Sequence, residues 1–308
     1  MDMMKVRFVI ALALLVMLGG AEAALLISND GGNNVLQFDH VTGAFEGVSV
    51  SPDSGGLSGP RGIAFGPDAN LHVASQSTNQ VLRYNGVAGT FVDVFASGSG
   101  LDAPNGLTFG ANSNLYVAST DTDQVLRFDG ATGAFIDVFS WRSGLHAPFE
   151  VVFGPDGHLY FARNFSNQVF RYNGTTGVFI DVFATIAGAP TCLTFGPGGD
   201  LLLSDSATEA VHRFDGTMGA SLGIFTLGDG LSGPFEVGFN PADGNLLVES
   251  SGSDEIKRFY GSTGAFFDNF ASGNGLLPPT FFVVTPEPSA LWLPTVGLAA
   301  LAWRQSRG

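Results

Sequence analysis

Short apolar runs of four to six residues, each broken by turn residues, recur along this chain, with no stretch of helical period between them. In residues 104–147 the runs are Gly106–Phe109, Leu115–Ser119, Gln124–Asp129 and Phe135–Phe139, rich in Leu, Val, Phe and Tyr. Ala-Asn-Ser-Asn, Thr-Asp-Thr-Asp and Gly-Ala-Thr-Gly separate them. Strands of this length at this spacing predict an all-β chain. At Pro148 the pattern begins again. Lead prolines stand at Pro60, Pro104, Pro148, Pro190, Pro234 and Pro279, spaced by 44, 44, 42, 44 and 45 residues. Phe65, Phe109, Phe153, Phe195 and Phe239 each follow a lead proline by five residues, and Arg83, Arg127, Arg171, Arg213 and Arg258 sit in the middle of the same units. A fixed period signals a repeat architecture, and four strands per roughly 40–50 residues is one propeller blade. The strands are labelled a to d, with a innermost.

The two ends of the repeat are complementary. Leu25–Ser28, Val35–Asp39 and Phe45–Val50 align with strands b, c and d, and no strand a precedes them. Pro279 to Val284 reads as a strand a with nothing after it. Together they make a sixth blade, so the expectation is a six-bladed β-propeller over residues 24–285, closed by its own termini. Closure removes the long exposed edges that threaten an all-β protein.

Outside that span the chain changes character. Residues 1–23 carry Lys5 and Arg7, the apolar run Phe8–Leu18 and then Ala21-Glu22-Ala23. That is the pattern of a secretory signal peptide cleaved after Ala23, and the run is short of the about 20 apolar residues a membrane span needs. Residues 286–308 hold Pro286-Glu287-Pro288, a largely apolar stretch from Ser289 to Trp303, and the basic residues Arg304 and Arg307. Pro294 interrupts the stretch, which suits transient membrane association better than a permanent span.

Charge narrows the partners. The net charge is −15, and between Ala24 and Thr285 nine basic residues face 25 acidic ones. Such a surface repels phosphate backbones, which argues against nucleic acid as a partner. Cys192 is the one cysteine, so no internal disulfide is available. Ten residues after Arg83, Arg127, Arg171 and Arg258 come Asp93, Asp137, Asp181 and Asp268. A c–d hairpin turning near residues 86–89 puts each pair directly opposite, a structural ladder rather than a catalytic set.

The Pro-Glu-Pro triplet, apolar stretch and basic end resemble the PEP-CTERM sorting signal. That resemblance implies an exosortase-type sorting enzyme as partner, in a Gram-negative, exopolysaccharide-producing bacterium, and a final place in the cell envelope or outside it. The repeat starts Pro60-Arg61-Gly62 and Pro104-Asn105-Gly106, the strand Leu115–Ala118 and the run Gln124-Val125-Leu126-Arg127 resemble six-bladed NHL-repeat and streptogramin-lyase-like propellers. Members include binding modules, metal-dependent lactonases and lyases, so this resemblance implies a fold more than a function.

Candidate chemistry lies where the d–a and b–c connections share a face. Glu150 and Glu236 replace the glycine that the first two units carry at the same position, and a carboxylate there is not required by the repeat. Trp141, His146, Phe149, Arg163, Phe165 and Phe235 gather on the same face, with Arg61 and Asn105. Aromatic faces beside carboxylates and an arginine suit a sugar or another polar ring, which makes binding or scaffolding in the cell envelope the leading expectation. The bland alternatives are glutamates that merely solvate a wet channel and phenylalanines that pack between blades. Asn105, Glu150, Asp205 and Glu236 offer oxygen ligands for calcium or magnesium, as lactonase-like relatives would use for hydrolysis. Lyase chemistry would need histidine at the channel, and among the histidines only His146 falls on this face.

Overall fold

A computed structural model describes residues 23–140, 147–163 and 167–286, with Arg163 by its backbone alone. The protein is all-β, built from six four-stranded antiparallel sheets arranged as a six-bladed propeller. Blade 1 holds Pro60–Phe65, Leu71–Ser75, Gln80–Tyr84 and Phe91–Ser97 as strands a to d. Blade 2 holds Pro104–Phe109, Leu115–Ser119, Gln124–Phe128 and Phe135–Ser140. Blades 3, 4 and 5 repeat the order over residues 152–185, 190–227 and 234–272.

Blade 6 is the shared one. Pro279–Val284 pairs with Ala24–Asn29, which continues through Asn34–Asp39 to Phe45–Val50. The chain ends are clasped as well as paired. The Ala24 amide donates to Thr285 Oγ1 at 2.7 Å, and the Thr285 amide donates to the Ala24 carbonyl at 2.8 Å.

The phenylalanine period has a packing cause. Tyr116 on strand b of blade 2 meets Phe139 of its own blade and Phe153 of the next, edge to face at 4.8 and 5.0 Å. Tyr160 meets Phe183 and Phe195 in the same way, and His72 meets Phe95 and Phe109. The phenylalanine ending strand a is therefore a wedge into the preceding blade. Edge-to-face rings at such separations add about 0.5–1.5 kcal/mol beyond their buried area.

The arginine ladder forms in the expected register. Arg83 opposes Asp93, Arg127 opposes Asp137, Arg171 opposes Asp181 and Arg258 opposes Asp268. In blade 6 Gln37 faces Gly47, and in blade 4 Arg213 faces Gly223 and turns instead to Asp200 at 2.7 Å. Each guanidinium in blades 1 to 3 also lies over the strand-d phenylalanine of its blade, Arg127 at 5.1 Å from the Phe139 ring. The arginine thus completes a stack of cation, ring and ring across the blade.

Blade contact also selects the hairpin glycines. Gly133 adopts φ +72, and a Cβ there would stand 1.8 Å from the Phe95 carbonyl oxygen of the preceding blade. Gly43 makes the same approach to Phe270, so the shared blade closes on blade 5 by the rule used elsewhere in the ring. On the opposite face the b–c loops latch forward. Asn33 and Asn79 accept hydrogen bonds from the amides of Gly59 and Ala103, which precede the lead prolines of the next blades.

One strand departs from the repeat. In blade 3 regular pairing of strand a shrinks to Val152–Phe153. The Phe149 carbonyl instead accepts the Gly106 amide of blade 2 at 2.7 Å, which draws the segment around Glu150 toward its neighbour.

Candidate functional site

Strand a of each blade lines the centre of the ring, and the third residue of each lead segment gives Gly62, Gly106, Glu150, Cys192, Glu236 and Phe281. Three consecutive blades therefore contribute carboxyl, thiol and carboxyl. Cys192 Sγ stands 2.9 Å from Glu236 Oε2 and 3.7 Å from Glu150 Oε2. Cys192 is fully buried, Glu150 is buried, and Glu236 is half-buried. Gly106 makes the room: a Cβ there would lie 2.6 Å from Glu150 Oε2.

Glu249 joins from strand b of blade 5, fully buried, with Oε2 accepting the Glu236 amide at 3.2 Å. Its other oxygen has no hydrogen-bond partner. Asn105 is also fully buried, with both side-chain polar atoms unpartnered. Buried polar groups are normally satisfied, so these orphans mark the channel as unusual.

The electrostatics follow from burial. Desolvation, reinforced by the Glu236 charge, holds the Glu150 carboxyl well above the usual carboxylate range. Desolvation pushes Glu236 up to about 8 and raises Glu249 well above its ordinary value. The Cys192 thiol is raised by burial and then by the neighbouring glutamates. All four shifts run in the direction that disfavours charge, as burial away from water requires.

The remaining expected residues scatter. Arg61 is engaged by Asp30 at 3.0 Å and Gln76 at 3.1 Å, which clamps blade 6 to blade 1. Asp205 does not join the acidic cluster. Its carboxylate accepts the Ala189 and Ala207 amides and the Thr208 hydroxyl, and lies 3.4 Å from His212 Nε2, so it shapes its own b–c loop. Phe149 and Phe235 are half-buried and meet edge to face at 5.9 Å across blade 4, with Phe235 continuing to Phe281 at 5.5 Å. Trp141, His146 and Phe165 lie outside the described residues, as does the Arg163 side chain. Ala23 directly precedes the first strand and Pro286 follows the last by two residues, while Glu287 and Pro288 lie outside the described span.

Two members of the cluster escape sequence reasoning. Cys192 enters the sequence analysis only as the one cysteine, although it occupies the same repeat position as the two glutamates. Glu249 stands where the sister strands carry Ser28, Ala74, Ala118, Ala162 and Ser204. An acid at a position held by small residues was the available signal.

The fold and this central site define a six-bladed β-propeller with an acidic, thiol-bearing channel wall. No protein-family model matches the sequence, and neither does any curated protein. Solved structures do match in fold. A chain of the nidogen/laminin complex superposes with a TM-score of 0.72 at 15% identity, covering 86% of this chain and 99% of that one. Virginiamycin B lyase from Staphylococcus aureus gives 0.61 at 16% identity over 79% of each chain. A protein assigned to the gluconolactonases gives 0.57 at 16% identity, over 69% of this chain and 78% of that one. Streptogramin-lyase-like propellers are thus among the structural neighbours.

Proposed function

We propose that this chain is an exported cell-envelope propeller that binds a polar ring ligand, such as an exopolysaccharide unit, at its channel mouth without turning it over. The observation that carries this reading is the Phe149–Phe235 pair, two half-buried rings 5.9 Å apart beside the half-buried Glu236. Aromatic surface takes the apolar face of a sugar, and a carboxyl group takes its hydroxyls. The described histidines lie elsewhere: His40 is buried beside the chain ends with Ala23, Pro241 and Thr285. His72 is packed between Phe95 and Phe109, His212 contacts Thr208 and Asp205, and His158 follows a hairpin turn. A glycan array on the full-length protein, run with calcium and with chelator, tests the reading. Retained sugar that is lost in Phe149→Ala/Phe235→Ala supports it, and an array without retained sugar overturns it.

The convergence of Glu150, Cys192 and Glu236 favours a second reading, metal-dependent lactonase-like hydrolysis. Chelator-sensitive lactone cleavage lost in Glu150→Gln would support it over simple binding. For lyase chemistry of the streptogramin type the described channel wall offers no histidine.

Export and sorting complete the proposal. A signal peptide ending at Ala23 and a PEP-CTERM tail from Pro286, handled by an exosortase-type enzyme, would leave the propeller whole. What supports this is the Ala24–Thr285 clasp, which puts both limits of the folded unit beside the expected processing points. Mass spectrometry of protein recovered from the envelope should give a mature N-terminus at Ala24. Recovery with residues 1–23 still attached would refute it.

A further inference from the structure

The cluster gathers three glutamates and a thiol in the channel wall. Among the described residues no ion pair reaches Glu150, Glu236 or Glu249. Arg61 exerts a field on Glu249, but its guanidinium is bonded to Asp30 and Gln76. Burying ionisable groups without partners is costly, and the repeat does not demand it, since Gly62 and Gly106 occupy the same position in blades 1 and 2.

The donor atoms of Glu150, Cys192 and Glu236 all lie within 4.8 Å of one another. A second observation points to something held among them. Glu249 is fully buried and tied to the cluster by the Glu236 amide, which its Oε2 accepts at 3.2 Å, while its Oε1 has no partner. We propose that Glu150, Cys192 and Glu236 bind one borderline divalent cation of the zinc type in the channel, with Glu249 as the adjoining acid that stabilises the bound charge.

The choice of ion follows from the sulfur. Calcium takes six to eight oxygen ligands and magnesium a near-octahedral oxygen set, whereas thiolate selects softer metals. Zinc bound tetrahedrally at about 2.3 Å to sulfur and about 2.1 Å to oxygen would separate those ligands by about 3.6 Å. The observed 2.9 and 3.7 Å from Sγ to the two carboxylates bracket that separation. Three protein ligands leave a fourth position open, and Glu236, the half-buried member, marks the side from which solvent reaches it. This inference shares Glu236 with the sugar-binding reading and deepens the metal-dependent one by naming the ion, but its test reads metal uptake alone and so fails or holds independently of sugar binding or lactone cleavage.

The test uses the full-length protein freed of metal by chelator and dialysis. Zinc chloride should titrate to one equivalent and raise the melting temperature. Cobalt chloride should produce a thiolate-to-cobalt charge-transfer absorption in the unmutated protein. That absorption should vanish in Cys192→Ser, and stoichiometric zinc uptake should vanish in Glu150→Gln/Glu236→Gln. Calcium or magnesium chloride at a hundredfold higher concentration should leave the melting temperature unchanged. The proposal is overturned by the absence of saturable zinc uptake, by cobalt binding without the thiolate band, or by calcium binding that survives Cys192→Ser. Because the cobalt band is read in the unmutated protein, a variant that fails to fold does not remove the test.

Discussion

Ala24 and Thr285 are 261 residues apart in sequence, yet each donates its backbone amide to the other residue. Ala24 opens strand b of the shared blade, and Thr285 follows its strand a. The two ends of the domain are therefore one structural feature, and their pairing closes the ring. Deleting residues 24–50 should remove three strands and expose the edges of blades 1 and 5. Size-exclusion chromatography and calorimetry should show aggregation or a broad, non-cooperative transition. A monomeric deletion variant that melts as sharply as the whole chain would contradict closure by the shared blade.

Arg127 and Asp137 should be coupled modestly. The pair is bidentate, with Nε to Oδ1 at 3.0 Å, but the Asp137 side chain is 44% exposed, so water screens much of the attraction. A double-mutant cycle with Arg127→Gln and Asp137→Asn should give a coupling of about 0.5–1 kcal/mol, smaller in high salt. Arg127→Gln should cost somewhat more than Asp137→Asn, because it also removes the cation from the Phe139 ring. Equal costs would show that the ring contact adds nothing.

His72 should make the protein acid-sensitive. Burial between Phe95 and Phe109 lowers its pKa to about 4 against the pull of Asp68, and Nε2 has no partner. The unfolded chain binds a proton near pH 6.5 and the folded one does not until about pH 4. Stability contributed by the neutral ring is therefore full above pH 6.5 and lost as pH falls through that window, by about 3 kcal/mol. Blades 2 and 3 carry Tyr116 and Tyr160 at this position, so His72→Tyr should fold and flatten the denaturant midpoint between pH 6.5 and 4. An unchanged pH profile in that variant would sink the assignment.

Gly106→Ala tests how tightly the channel is packed. A Cβ at this position would stand 2.6 Å from Glu150 Oε2 and 2.7 Å from the Phe149 carbonyl oxygen. Overpacking of this kind costs about 1–3 kcal/mol. Pairing the change with Glu150→Gly should recover part of the loss, since the carbonyl of Phe149 remains in the way. Urea midpoints of the two variants measure both effects, and a neutral Gly106→Ala would mean that Glu150 rests elsewhere.

The repeat carries its own fold. The proline and phenylalanine periods, the complementary partial units and the arginine–aspartate offset of ten residues suffice to assign six blades, the shared sixth and the ladder register. Each is a local pattern repeated, and strand pairing within a blade joins residues close in sequence. The site is different. Glu150, Cys192 and Glu236 lie on three consecutive blades, and only the packing of those blades brings them into contact. The sequence marks the two glutamates as departures from the repeat, but says nothing of the thiol between them. Asp205 looks equivalent on paper and is taken up by its own loop instead. Glu249 and Asn105 show their unpartnered atoms only once the neighbouring blades have buried them. Strand order is written in nearest-neighbour patterns, whereas the acidity of the channel is a property of desolvation, which exists only when the ring has closed.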